Sequence, residues 1–316
     1  MALEPHQASA LRIAMNNCAY FEKRYPVLRE LELDVRPETA NMALKLYIEH
    51  IKLIDQTAGV LTLMEMYREL AKLPQASGLR NGPVRALARL YNERGLAHHV
   101  AKLVDSTDPL YAEAENLIRQ HDDAYGVKLN IHNYAGLTRG NTVLYYLAAH
   151  PKLLKGRHVA HVGPERECRA WITDRIESLE CTYTTIDGFQ PGMDRYEDLS
   201  EMMAENDSFD TIICHRVLEH VINGAAAHKE LYRVLKPGGV LNISVPEVLY
   251  LEETSEWVIP DPGFHDHVRA YGRDFSSQLE AVGFRVDRAD WLLHRPFEEL
   301  RAVKAYPMLM YNAYKD

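Results

Sequence analysis

From residue 158 onward, short β-type apolar runs alternate with helix-type runs, and this alternation constrains the fold more than any other feature. Strands are expected at 158–162, 182–186, 211–214 and 240–245, and two more at 284–293 and 308–314. Helices are expected between them at 168–179, 225–235 and 275–282, the last stopped by Gly283. The strands read as short apolar β-type runs, as largely buried strands do. Strand–helix alternation of this kind specifies an open, doubly wound α/β sheet.

The first 125 residues have a different texture. Leu11, Met15, Cys18 and Ala19 recur at helical spacing, and a longer stripe runs from Leu44 through Tyr47, Ile51, Ile54, Ala58 and Leu61 to Met64. Further helices are expected at 84–91, 110–120 and 142–150, and no strand pattern precedes residue 158. The division expected is a helical domain over 1–125 and an α/β domain over 126–316. A chain of 316 residues, 47% apolar and 26% charged, has the length for two domains of roughly 150 residues each. No apolar run is long enough to span a bilayer, and Met1 to His6 lacks the layout of a signal peptide. The four cysteines, Cys18, Cys168, Cys181 and Cys214, are too scattered for a disulfide framework or a zinc ribbon. A reduced, cytoplasmic setting without membrane association is the expectation. The net charge of −9, with Lys and Arg dispersed, repels phosphate backbones.

An open α/β sheet binds its ligand beyond the carboxyl ends of its strands. After the first strand stands His161-Val162-Gly163-Pro164-Glu165, with one glycine where a nucleotide loop has two or three; an ordinary strand-to-helix turn fits equally. After the second comes Asp187, placed to accept ribose hydroxyls or to cap a turn before Gly188. After the third comes Cys214-His215-Arg216-Val217-Leu218-Glu219-His220-Val221. A helix ending Arg233-Val234-Leu235, the turn Lys236-Pro237-Gly238-Gly239 and another strand follow. The stretch from Gly188 to Ser208 is short for a helix plus a strand.

This third block resembles the class I S-adenosylmethionine-dependent methyltransferases, in particular the UbiE-like small-molecule group. Their pattern runs from an Asp-hydrophobic strand through Leu-Glu-His to a helix closed by Leu-Lys-Pro-Gly-Gly. The run His161 to Glu165 resembles a bacterial branch with a His-x-Gly-Pro-Glu motif on the first strand, and Leu137-Thr138-Arg139 resembles that branch's stretch ahead of it. The resemblance covers roughly residues 135–293 and implies a Rossmann-like sheet of seven strands whose last two form an antiparallel hairpin. It implies S-adenosyl-L-methionine as cofactor. Its methionine part is expected over His161, Gly163, Pro164 and Glu165, its carboxylate at Arg139, its ribose at Asp187, its adenine at Asp198 and Leu199, and its sulfonium beside His215. It also places the loop after the 240–245 strand over the acceptor.

Methyl transfer from a sulfonium is an in-line displacement with a neutral leaving group, so a protein base is needed only when the acceptor must lose a proton. His265 and His267, with Tyr271 beyond and His215 and His220 from the preceding strand, are the residues expected to line the acceptor, each also readable as surface or packing. His265-x-His267 has the spacing of a metal pair, but nothing in the spacing supplies third and fourth ligands, and no metal site is expected. Nucleic-acid base methyltransferases carry an Asn/Asp-Pro-Pro-aromatic turn where Cys214-His215-Arg216 stands, so a small-molecule acceptor is expected rather than DNA or RNA. The helical half is expected to lid the pocket or to pair two copies. Two other readings stay open at this level: a nicotinamide-dependent oxidoreductase, because Asp187 suits NAD too, and a non-catalytic partner subunit of methyltransferase type.

Overall fold

The computed structural model describes residues 4–24, 95–100, 103–125, 136–261 and 265–316, with 85, 88, 89 and 91–93 besides. The long helix expected over 44–64 lies outside the described residues, as does most of the helix expected over 84–91. In the first half the described helices are α1 (Pro5–Arg24), α2 (Ala97–Val100) and α3 (Pro109–Tyr125). Then follow α4 (Arg139–Ala149), β1 (His158–Val162), α5 (Arg166–Thr173), α6 (Ile176–Leu179) and β2 (Thr182–Ile186). After them come β3 (Phe209–His215), α7 (Gly224–Val234), β4 (Leu235–Ser244), β5 (Ser255–Asp261) and β6 (His267–Ala270). The chain ends with α8 (Phe275–Glu280), β7 (Arg285–Ala289), α9 (Phe297–Ala302) and β8 (Met310–Lys315).

Six strands form the main sheet in the order β2-β1-β3-β4-β8-β7, and β5 pairs with β6 apart from it. The first four are parallel, while β8 runs antiparallel to both β4 and β7. The terminal antiparallel pair expected from 284–293 and 308–314 is therefore present. Among the described residues the main sheet has six strands, where seven were expected. The segment after β2 makes a single parallel bridge, Ile186 to Arg195, and no strand outside β2, because about twenty residues cannot hold both a crossover helix and a strand. Among the described residues every strand falls at or after His158.

The sheet is covered on both faces, as parallel strands require. On one face α7 and α8 bring Ala227, Leu231, Val234, Phe275 and Leu279 against Ala160, Ile212, Cys214 and Leu241. On the other, α4 and α5 bring Val143, Tyr146, Leu147, Cys168 and Ile172 against Val159, Ile213 and Val240. Thr138 starts α4 by accepting from the Asn141 amide at 3.1 Å, and Asn223 starts α7 by accepting from Ala226 at 3.2 Å. The single helix expected over 168–179 is two, parted at Asp174 and Arg175. Gly283 ends the turn after α8 at φ +113°, where a Cβ would lie 2.9 Å from the Tyr232 ring.

Among the described residues, helices of the first half touch the α/β half at two places. Asn16 of α1 donates to Asp198 and Glu201 at 2.9 and 2.8 Å, and Arg12 reaches the Tyr196 carbonyl at 2.9 Å. The Leu249 amide donates to His121 of α3 at 2.9 Å, and the Tyr250 hydroxyl accepts from the Ala97 amide at 3.2 Å. Among the described residues no helix is long and apolar enough to cross a membrane.

Candidate active site

The carboxyl ends of β1, β2 and β3 lie side by side, since Val162 is in register with both Ile186 and Cys214. Gly163 follows β1 at φ +57° and donates its amide to the Ile186 carbonyl at 2.9 Å. A side chain there would be strained and would meet Val217 at 2.8 Å, so the glycine serves the approach of the β1 and β3 loops to each other. Asp187 follows at the end of β2, half-buried, and its Oδ1 accepts from the Phe189 and Gln190 amides at 2.7 and 2.9 Å. This Asx turn fixes the loop with one carboxylate oxygen.

Beside these ends runs an open groove of about 730 Å³, lined among others by Arg139, Gly163, Pro164, Glu165 and Gln190. Arg139 enters it from the first turn of α4, with its Nε 3.0 Å from Glu165 Oε1 and its side chain 38% exposed. Glu165 itself is buried and also lies 3.1 Å from His161 Nε2, while His161 Nδ1 is 2.8 Å from the Tyr183 hydroxyl. Burial pushes the Glu165 carboxyl up, but the hydrogen bond and charge of His161, with His215 and Arg139, outweigh it and hold it at about 2. The carboxylate is therefore ionised at neutral pH and anchors Arg139 at the rim of the groove.

Asp198 and Leu199 are buried and do not line this groove. Asp198 is engaged by Ser200 and by Asn16 of α1, and Leu199 packs into the core beneath α7. His215 and Tyr271, expected at the reacting centre, are both fully buried, which corrects that expectation. His215 continues the Ile213 side of β3, toward α4, with Nδ1 2.9 Å from Ser244 Oγ and Nε2 3.1 Å from Asn242 Oδ1. Burial lowers its pKa to about 4, so it is a neutral core histidine. Tyr271 packs on Phe275, 4.9 Å between ring centroids, in the apolar cluster of the opposite face.

The 265–271 segment is a turn followed by a strand. His265 is exposed at φ +57°, Asp266 follows at φ +59°, and His267 opens β6. His267 is buried and its ring stands 4.8 Å from that of His220. Glu219 completes a group: one ligand-type atom from each of Glu219, His220 and His267 lies within 4.8 Å of the others. Arg269 binds the two segments together. It donates to the carbonyls of Leu218 and Val221 at 2.6 Å and of Ile222 at 3.0 Å, and its Nε lies 2.8 Å from Glu256. Sequence reasoning missed Tyr183 and the clustering of Glu219 with the histidines. Tyr183 could have been found from strand phase, since it sits two residues before Thr185, the register partner of His161. Glu219 carried no signal beyond its place in the Leu-Glu-His run.

Residues 179–243 match a family model described as a methyltransferase domain. A Mycolicibacterium smegmatis protein named "Probable S-adenosylmethionine-dependent methyltransferase" is 28% identical over 164 residues, 49% of this chain. The match spans 62% of that relative's length. Among solved structures, an S-adenosylmethionine-dependent methyltransferase from Mesorhizobium loti is 15% identical, with 54% of this chain and 96% of the other covered and a TM-score of 0.38. The 1,6-didemethyltoxoflavin-N1-methyltransferase of Burkholderia thailandensis, solved with 1,6-didemethyltoxoflavin and S-adenosylhomocysteine, is also 15% identical, covering 67% and 94%, with a TM-score of 0.37. The α/β half is similar to the class I S-adenosylmethionine-dependent methyltransferases, and S-adenosyl-L-methionine is the cofactor of that class.

Proposed function

We propose that this protein transfers a methyl group from S-adenosyl-L-methionine to a small-molecule acceptor, as an enzyme of the UbiE-like kind. The observation that carries the reading is the juxtaposition of Gly163 and Asp187 at two adjacent strand ends, joined by the Gly163 amide to the Ile186 carbonyl, with the Arg139 groove beside Gly163. These residues fit the cofactor. Arg139 Nε and Glu165 Oε1 are buried without an aligned hydrogen bond, so the guanidinium is poised by charge alone and keeps donors for a ligand carboxylate. The second oxygen of Asp187 suits a ribose hydroxyl. When bound, the cofactor supplies an electrophilic methyl on a good leaving group, and the chain's work is to orient the acceptor and to exclude water.

The acidic net charge and the absence of a Pro-Pro-aromatic turn after β3 support a small acceptor over nucleic acid. The contacts of α1 with Asp198 and of α2 and α3 with residues 249 and 250 support a helical cover over both ends of the site. On this reading the helical half, 1–125, lids the pocket and offers the surface for pairing two copies. The buried free thiols Cys168, Cys181 and Cys214 support a reducing, cytoplasmic setting. Titration calorimetry of the full chain with S-adenosylhomocysteine and, separately, with NAD tests the reading. One molecule of S-adenosylhomocysteine bound per chain and no NAD is the expected result; NAD binding alone would turn the assignment to an oxidoreductase.

A further inference from the structure

We propose that Glu219, His220 and His267 are the three protein ligands of a divalent transition-metal site of the zinc type. Two imidazoles and one carboxylate are a donor set suited to such ions, and three protein ligands leave a position open for a small molecule. One ligand-type atom of each residue already lies within 4.8 Å of the other two. Ligands at zinc distances of about 2.0–2.2 Å in a tetrahedron stand roughly 3.3–3.6 Å apart, so metal binding draws the three together by about an ångström.

Three further observations point to a ligand. Glu219 is 2% exposed, and its Oε2 is buried with no hydrogen-bond partner. A buried carboxylate oxygen left unsatisfied is costly unless something binds it. The His220 ring stands 4.8 Å from that of His267, so two imidazoles from separate segments meet at this carboxylate. Arg269 ties the Leu218–His220 turn to β6 through three carbonyl groups, so the ligands are held by anchored backbone on two separate segments. None of these groups is needed to explain the cofactor groove.

The site lies close to that groove, since the Leu218–His220 turn follows β3 and its neighbour Val217 packs against Gly163 of the groove wall. If the methyl-transfer reading holds, the open position is where an acceptor oxygen would bind, and the acceptor class is one with a metal-binding hydroxyl or carboxylate. That consequence rests on the proposed function; the metal site does not.

The test uses the full chain, stripped with chelator and titrated with zinc, with bound metal counted by elemental analysis. About one zinc per chain is expected. His220→Ala and His267→Ala should each weaken it by roughly 100-fold or more, and Glu219→Gln by at least roughly 10-fold. Cobalt substituted for zinc should give the visible spectrum of a nitrogen- and oxygen-ligated ion without a thiolate charge-transfer band. Circular dichroism and S-adenosylhomocysteine binding report whether each variant folds. Failure of the wild-type chain to bind zinc would overturn the proposal, and so would binding lost only in Cys168→Ser, which would move the ion to the His161, Glu165 and Cys168 group. Zinc binding without S-adenosylhomocysteine binding would leave the metal site standing and remove the methyltransferase reading.

Discussion

Two clusters of histidine and glutamate flank the strand ends, and they are built in opposite ways. Around Glu165 each acid and base has a partner: Tyr183, His161, Glu165 and Arg139 form one chain from β2 to α4. Around Glu219 one carboxylate oxygen, Oε2, lacks one. Burial pushes the Glu219 carboxyl up to about 7, against the pull of Arg216, Arg139 and Arg269, whereas Glu165 is held at about 2. A buried carboxylate paired at both oxygens works as scaffold; one with an oxygen left unpaired is available to a ligand. The first cluster therefore reads as the support of the cofactor groove and the second as the place where something further binds.

The comparison can be broken most severely at Arg269. Arg269→Leu removes the donor of three buried carbonyls, and a loss of about 3–5 kcal/mol in urea unfolding is expected, with the Glu219 cluster dispersed. No loss would mean the clamp is not what holds β6 to the turn.

The acid and base limbs of stability come next. Glu165 is depressed from 4.5 to about 2, so its contribution is whole above about 4.5 and is lost as pH falls through about 2. Glu247, pushed up to about 7 by burial although the Tyr311 hydroxyl donates to it at 2.6 Å, behaves oppositely. Its contribution is whole below 4.5 and is lost as pH rises through about 7. Melting temperature against pH should show both limbs, with Glu247→Gln flattening the alkaline one by an amount on the order of 2–3 kcal/mol and leaving the acid one.

Asp187→Asn keeps the oxygen that caps the Phe189 turn and removes the charge. A fall in S-adenosylhomocysteine affinity of roughly 10–100-fold is expected, from about 1.5–3 kcal/mol of charge-assisted hydrogen bonding. The smallest effect is that of Tyr183→Phe. It deletes one hydrogen bond to His161 at the far end of the paired chain, and should cost about 1 kcal/mol of stability without moving the cofactor affinity.

Much of the fold was legible because β-type runs alternate with helical ones around central strands buried on both faces: the runs 158–162 and 182–186 are strands at those limits. The same double burial hid the direction of His215. With apolar residues on both sides of β3 no alternation shows which face its ring takes, and it lies in the core under α4 rather than at the reacting centre. The missing seventh strand was foreshadowed by the shortness of 188–208, a count of residues rather than a pattern. Tyr271 was misplaced because the stretch after β4 read as loop. It holds a two-stranded sheet whose β6 turns Tyr271 inward, and nothing in its composition announces the Arg269 clamp. The Glu219 group joins a turn to a strand distant in sequence, so only the folded chain brings it together.

The central claim is that the cofactor lies across the ends of β1 and β2, and a crystal structure of the full chain with S-adenosylhomocysteine tests it most directly. The account predicts the amino-acid carboxylate within hydrogen-bond distance of Arg139 and the ribose hydroxyls on Asp187, above Gly163. A ligand seated elsewhere, such as the second groove between Asn16 and Asn223, with Arg139 and Asp187 untouched, would contradict it.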